Sequence, residues 1–312
     1  MLHVLFWRAA RYLVTMYLRP RDFYLFEVIQ RHGPLPSHYL YEFTKHLAHD
    51  LFGFKKRLLT LYRAGYLDRP PQLNNPLIHT DFKVYILKDK ALEALAGKKD
   101  AFATPVGGGY QHALMASCIT ANIELEVARA GLGYISQEAI LASSKCPQET
   151  KTAKRPLALP TSISHEFKRG SAGYTHRSDR PIEPDQIFGI NYGNGFRFFA
   201  VEADRGTEPL TRQNLNENSI LRKVLAYKNI LATGEYKKRW GIPNLFPIFI
   251  TTADERVRNM AELTRSIYPD RAQHLLFKAI PGFHIYFRTP PLIPELFGEY
   301  VRTGEPFDIR KA

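Results

Sequence analysis

Apolar side chains recur at helical spacing in three short bursts near the start of the chain. Asp22 to Arg31 carries Phe23, Phe26 and Ile29, and it stops at Gly33-Pro34, a glycine terminator followed by a residue that cannot continue a helix. A second short helix is predicted from about Ser37, where Leu40 and Phe43 share a face. The third runs from about Asp50 to Ala64, with Phe54, Leu58, Leu61 and Tyr62 as its buried stripe and Gly65 as its stop. Tyr66-Leu67 and Phe82 to Leu87 then read as two strands joined by a loop containing Pro70, Pro71 and Asn74-Asn75-Pro76.

Further along, the periodicity lengthens. A glycine-rich passage at 97–111 reads as a linker, because its Gly107, Gly108 and Gly109 have neither a preceding strand nor the Lys-Ser/Thr that a phosphate cradle needs. A helix is predicted from His112 to Ala130, with Leu114, Ile119, Ile123, Leu125 and Val127 as its apolar positions. Residues 134–184 carry little pattern beyond Tyr134-Ile135; a strand near Leu157 to Leu159 and a mobile loop from Ser162 to Arg180 are expected there. Gln186 to Tyr192 and Phe196 to Val201 form a hairpin around Gly193-Asn194-Gly195. With Asn194 and Gly195 at the centre of the turn, Asp185 faces Asp204 and Ile187 faces Glu202; a slip of one residue pairs Asp185 with Glu202 instead. A helix from about Glu217 to Thr233 follows, with Lys223 and Tyr227 one above the other at i, i+4. The apolar run Leu245 to Thr251 suits a buried parallel strand. Asp254 to Ser266 is a helix, and Leu275 to Ile280 and His284 to Phe287 are late strands.

The resulting organisation is an amphipathic N-terminal helix at 1–20, a unit at 21–96 whose helices and flap follow the order of a winged helix-turn-helix, the linker at 97–111, and an α/β (α+β) domain at 112–312. The first twenty residues do not suit a membrane span, because Arg8 and Arg11 interrupt the apolar run. That segment is expected to dock on the body of the protein or to join a homodimer.

Composition narrows the class of partner. The 312 residues hold 43 lysines and arginines against 30 acidic residues, a formal charge of +13. Such an excess favours a polyanion, most simply double-stranded DNA. It is concentrated at 1–69, with 11 basic and 5 acidic side chains, and at 145–180, with 8 and 3. On the third helix, Lys55, Lys56, Arg57, Thr60 and Arg63 are donors suited to phosphates and guanine edges. Cys118 and Cys146 are the two cysteines, with no CxxC, which fits a reducing, cytoplasmic setting and no disulfide framework. Cys118 is expected to be buried and inert. His46 and His49 lack a third ligand for a metal.

The candidate chemistry lies in the hairpin. Asp185, Glu202 and Asp204 bring three carboxylates to one end of it, Glu202 and Asp204 to the same side. Oxygen-only clusters of this kind suit Mg²⁺ or Mn²⁺, and a solvated strand end is the plain alternative.

The order helix, strand, hairpin with carboxylates, helix, buried strand resembles the core of the PD-(D/E)XK nucleases, with a mixed central sheet like that of restriction endonucleases. Phe199-Ala-Val-Glu202-Ala-Asp204-Arg-Gly-Thr207, Lys223-Val-Leu-Ala-Tyr227 and Arg57-Leu-Leu-Thr-Leu-Tyr62-Arg-Ala-Gly65-Tyr-Leu-Asp-Arg69 are similar to the bacterial replication-relaxation protein family. The resemblance spans about residues 22 to 266. It implies a winged-helix DNA-binding accessory of a plasmid or integrative element, acting in replication or conjugative mobilisation beside other proteins of that element, with a nuclease-like domain. It assigns Asp185 and Glu202 to the metal and places Lys223 as the cation, because Asp204 stands where the lysine of the motif belongs. Arg205 is a second candidate cation, with Tyr227 and Glu124 or Glu126 as accessory groups. Two readings remain open: a binder whose domain cuts nothing and needs no cofactor, or a Mg²⁺-dependent endonuclease. A winged-helix transcriptional regulator is a weaker third.

Overall fold

A computed structural model describes residues 17–47, 50–70, 83–95, 109–169, 172–269, 274–281, 291–302 and 305–311. Residues 1–16 of the expected N-terminal helix, most of the 97–111 linker, His49 and the strand at 284–287 lie outside the described residues.

Three helices open the chain: α1 (Pro20–His32), α2 (Ser37–Thr44) and α3 (Leu51–Arg63). Pro20 takes the first position of α1, where a missing N–H costs nothing. Asp50 caps α3 by accepting the Gly53 N–H at 2.7 Å. Phe54, Leu58 and Leu61 are the buried stripe of α3, and Tyr62 is half-buried. Strands β1 (Leu35–Pro36), β2 (Leu67–Asp68) and β3 (Val84–Leu87) pair antiparallel in the order β1-β3-β2. The two-residue β1 has no signature in the sequence. A short α4 (Asp89–Ala94) follows.

The long helix α5 (Tyr110–Arg129) belongs to two cores at once. Cys118, Ala121 and Leu125 pack with Phe26, Leu40 and Leu61 of the first unit, while Met115, Ile119, Ile123 and Val127 pack against the large sheet. Being apolar on two sides, α5 shows no single stripe. It therefore fastens the first unit to the second.

The remaining chain contributes, in order, β4 (Gly133–Ile135), α6 (Gln137–Ala142), α7 (Gln148–Lys151), β5 (Ile163–Arg169), β6 (Ala172–Ser178), β7 (Gln186–Asn191), β8 (Phe196–Ala203), α8 (Ile220–Thr233), α9 (Glu235–Trp240), β9 (Phe246–Thr251), α10 (Asp254–Ile267), β10 (Leu276–Ala279), β11 (Glu299–Arg302) and β12 (Glu305–Asp308). Seven of these strands form one mixed sheet, ordered β12-β11-β10-β9-β8-β7-β4. β8, β9 and β10 run parallel, joined through α8 with α9 and through α10; the other neighbours are antiparallel. Parallel neighbours need such helical crossovers. The fold is thus mixed α/β around a large mixed sheet.

Alternation along β8 divides the side chains between the two faces. Phe199, Val201 and Ala203 join the core under α5, and Phe198 and Ala200 join the core under α8 and α10. Glu202 stays on the α8 face for the same reason.

Two expectations are corrected here. Leu157 to Leu159 is not a strand; Leu159 makes one isolated bridge with Ile182. The stretch expected as a mobile loop, Ser162 to Arg180, is mostly the antiparallel ribbon β5–β6, in which His165 faces His176 and Phe167 stacks on Tyr174. Its cross-strand aromatic pairing was hidden by the polar residues of the opposite face. Of the two hairpin registers the sequence allows, the slipped one forms. Tyr192 donates to the Gly195 carbonyl at 2.9 Å, and Gly193, with φ of +87°, takes the first central position of the turn. Glycine there is what a type II′ turn requires, so Gly193-Asn194 replaces Asn194-Gly195 at the centre. Gln186 therefore pairs with Val201, and Asp185 comes opposite Glu202. Among the described residues no helix is long and apolar enough to cross a membrane.

Candidate active site

The mixed sheet places Asp185 just before β7 and Glu202 near the end of β8, on the face covered by α8. They line one cleft of about 800 Å³ with His112, Glu208 and Lys223. Lys223 rises from the first turn of α8, which begins at a Ser219 cap that accepts the Arg222 N–H at 3.2 Å. Its Nζ lies 2.9 Å from Glu202 Oε2 and 2.8 Å from Glu208 Oε2. One turn on, Tyr227 donates its hydroxyl to Glu202 Oε1 at 2.6 Å. Asp185 accepts the Ala203 N–H at 2.7 Å on one oxygen and faces His112 Nε2 at 2.6 Å on the other.

Charge in this cluster is unbalanced. Glu202 and Glu208 share Lys223, Asp185 has His112, and Glu202 is only 2% exposed. Burial raises the Glu202 pKa above its usual range, with Lys223 opposing and Asp185 adding to the rise. Burial acts to lower the Lys223 pKa, but Glu202, Glu208 and Asp185 outweigh it and hold the ammonium charged. The hydrogen bond that His112 makes to Asp185 raises the pKa of His112. Tyr227 is held well above its usual value by burial and by Glu202, so it remains a hydroxyl donor.

The other residues singled out in the sequence lie elsewhere. Asp204 does not line the cleft: its carboxylate accepts Thr251 Oγ1 at 2.7 Å and pairs with the guanidinium of Arg256 on α10. The expected meeting of three hairpin carboxylates is thus reduced to two, with Glu208 from the following loop as the third acid. Glu124 is turned to the first unit, where it pairs with Arg31 at 2.8 Å and His32 at 2.7 Å, and Glu126 pairs with Arg129. Arg205 donates to Gln111 at 2.5 Å and so ties the loop after β8 to α5. On α3, Lys55, Lys56, Thr60 and Arg63 are exposed, whereas Arg57 turns inward to Asp22, with Nε 3.0 Å from Oδ1, and donates to the Tyr17 carbonyl. His46 packs edge-on against Tyr24. Cys118 is fully buried, and burial raises its thiol pKa.

Sequence reasoning missed His112, Glu208 and Arg222. His112 stands in the first turn of α5, distant in sequence from its partner, so only the packing of α5 across β7 reveals it.

Asp185 and Glu202 offer hard oxygen donors from neighbouring strands on one wall of the cleft, a donor set that suits Mg²⁺ or Mn²⁺. Among the described residues no group of three His, Cys, Asp or Glu side chains surrounds one point. Mg²⁺ commonly takes only one or two carboxylates and completes its shell with water and a substrate phosphate, so two suffice. Each carboxylate oxygen already accepts one hydrogen bond and retains a second lone pair.

No family model matches the chain, and no curated protein matches it. Among solved structures, one described as the structure of SdaI restriction endonuclease is similar over 83% of this chain and 81% of that one, at 13% identity and a TM-score of 0.18. A superposition of that quality adds nothing to the geometry above.

Proposed function

We propose that this chain binds double-stranded DNA and that its cleft is a phosphodiester-cleaving site of the PD-(D/E)XK type. One observation carries the reading: Asp185 and Glu202, on adjacent strands of a helix-flanked mixed sheet, converge with a lysine 2.9 Å from the glutamate. The motif's lysine is then Lys223, supplied by α8 instead of the strand. In that role Asp185 and Glu202 hold the divalent ion, which when bound supplies Lewis-acid stabilisation of the phosphoryl group and an activated water. Lys223 places a fixed positive charge beside the reacting phosphate. Tyr227 fixes the orientation of Glu202, and the Ala203 N–H and His112 fix that of Asp185.

The first unit supports the DNA-binding half. Its succession α1, β1, α2, α3, β2, β3 is that of a winged helix, with α3 as the reading helix and Lys55, Lys56, Thr60 and Arg63 on its exposed side. Arg57 is left out of that set, since it neutralises Asp22. The units 21–96 and 112–312 act together through α5. The similarity to replication-relaxation proteins supplies the setting, an accessory role in replication or mobilisation of a mobile element.

A binding-only reading has its own support: every oxygen of Asp185 and Glu202 is already engaged by a protein donor. Incubating the protein with supercoiled DNA plus Mg²⁺, Mn²⁺ or chelator separates the two. Metal-dependent nicking that falls at least about a thousandfold in Asp185→Asn, Glu202→Gln and Lys223→Met is expected. DNA retention without any nicking would leave the binder.

A further inference from the structure

The cleft has a second end, and it carries opposite chemistry. Beyond the carboxylates its walls are Arg155, Arg180, Arg212 and Arg222. Three of these are at least partly neutralised or tied to main chain. Arg155 pairs with Glu183 at 2.5 Å, Arg212 with Glu217 at 2.6 Å, and Arg180 donates to the Asn216 carbonyl at 2.5 Å.

Arg222 is the exception. It is 3% exposed, and its Nη2 donates to the carbonyls of Arg180 and Pro181 at 2.6 and 3.0 Å. Its Nε is buried with no hydrogen-bond partner, and no described carboxylate forms an ion pair with it. A buried guanidinium normally comes with a carboxylate, because taking an uncompensated charge out of water is costly. Here two carbonyls are its recorded hydrogen-bond partners, and Glu202 and Glu208 act on it only through space.

Sequence order explains how the charge arises there. Arg222 and Lys223 are consecutive on α8; Lys223 serves the acids and Arg222 the opposite end of the same cleft. Arg180 follows directly on the β5–β6 ribbon, so its guanidinium stands at the cleft mouth beside a basic arm.

We propose that Arg222 and Arg180 form a phosphate subsite that grips a backbone phosphate flanking the one held at Asp185 and Glu202. The assignment of that phosphate to DNA rests on the function proposed above; the anion site itself does not. Arginine is suited to it, since its planar fork meets two phosphate oxygens at once. The subsite gives a phosphodiester chain two fixed points in the cleft, which sets its direction past the carboxylates.

Thermal unfolding of the 312-residue chain in inorganic phosphate against chloride at matched ionic strength tests the subsite. A saturable rise in Tm is expected in the parent and in Glu202→Gln, and its loss is expected in Arg222→Gln and in Arg180→Ala. Arg180 is exposed, so Arg180→Ala remains informative if Arg222→Gln does not fold. No phosphate effect in the parent, or an undiminished one in Arg180→Ala, overturns the subsite. Binding of a 20-base-pair duplex as a function of salt gives the second readout, with the salt slope reduced by about one for Arg180→Ala. Phosphate stabilisation without DNA binding would retain the subsite and discard the nucleic-acid reading. DNA cleavage without phosphate stabilisation would do the reverse.

Discussion

Glu124 at the seam between the two units and Glu202 in the cleft are both glutamates held against a cation, yet their pKa values are shifted in opposite directions. Glu124 meets Arg31 through two hydrogen bonds, at 2.9 and 2.8 Å, and His32 at 2.7 Å, while His32 also contacts Thr120. Burial would raise its pKa, but His32 and Arg31 outweigh burial and hold it below the ordinary range. For Glu202 burial wins. Glu124 has a guanidinium to itself with the His32 ring beside it, whereas Glu202 shares its lysine with Glu208 and has Asp185 close by, itself held by His112. The difference separates structural from functional ion pairs within one chain, where burial alone does not.

The seam also touches the site. Gln186, next to Asp185, donates to the His32 carbonyl at 2.6 Å and accepts from Thr120 at 2.5 Å. The C-terminal end of α1 is thereby bonded to the residue beside a proposed metal ligand. The largest expected effect follows from this. Glu124→Gln leaves Arg31 without its counter-charge and weakens the contact to His32, and should cost about 3 kcal/mol in urea unfolding. The folded pKa of Glu124 is depressed, so its contribution is present above the unfolded value of about 4.3 and is lost as pH falls through the folded value. The acid limb of the stability curve should therefore flatten in Glu124→Gln. An unchanged limb would put the seam's stability elsewhere.

Arg57 extends the same reasoning to the first unit. Asp22 is 1% exposed and has Arg57 as its ion-pair partner, so Arg57→Ala should cost about 3 kcal/mol. Lys56→Ala, on the exposed side of α3, should leave stability within about 0.5 kcal/mol and weaken DNA binding with a shallower salt slope. Equal stability losses in the two would remove Arg57 from the structural class.

These assignments show where sequence reading succeeds. Helices with one apolar stripe, such as α3 and α10, were legible from their period, and in α3 the Asp50 cap agrees with it. The i, i+4 spacing made Lys223 and Tyr227 legible as neighbours on one face, but only the family resemblance put them beside Glu202. The seam was not legible, because α5 serves two cores and its glutamates look like any second-half helix charges. Asp204 was misplaced for a related reason. Alternation correctly puts it on the side of Glu202, but its partner, Arg256, comes from a helix fifty residues on that no local pattern connects to it.

A smaller effect concerns the charge deficit in the cleft. If the acids are short of a cation, a divalent ion that binds the folded state alone should stabilise it by about 1.4 kcal/mol at ten times its Kd. Calorimetric unfolding with Mg²⁺ or Mn²⁺ should show this in the parent and not in Asp185→Asn. Equal shifts in both would place the ion elsewhere.

The smallest effect is the sharpest contrast with Glu124. In Glu202→Gln the carbonyl oxygen still accepts the Tyr227 hydroxyl, Lys223 keeps Glu208 at 2.8 Å, and the desolvation that raises the Glu202 pKa is relieved. These terms offset the lost ion pair, so the change in stability should stay within about 1 kcal/mol while metal binding disappears. Sites held ready for a ligand commonly give up stability in this way, and removing their charge recovers part of it. A loss near that of Glu124→Gln would mean that Lys223 and Glu202 fasten α8 to β8 in the way Arg31 and Glu124 fasten the two units, and the cleft would lose its claim to an uncompensated site.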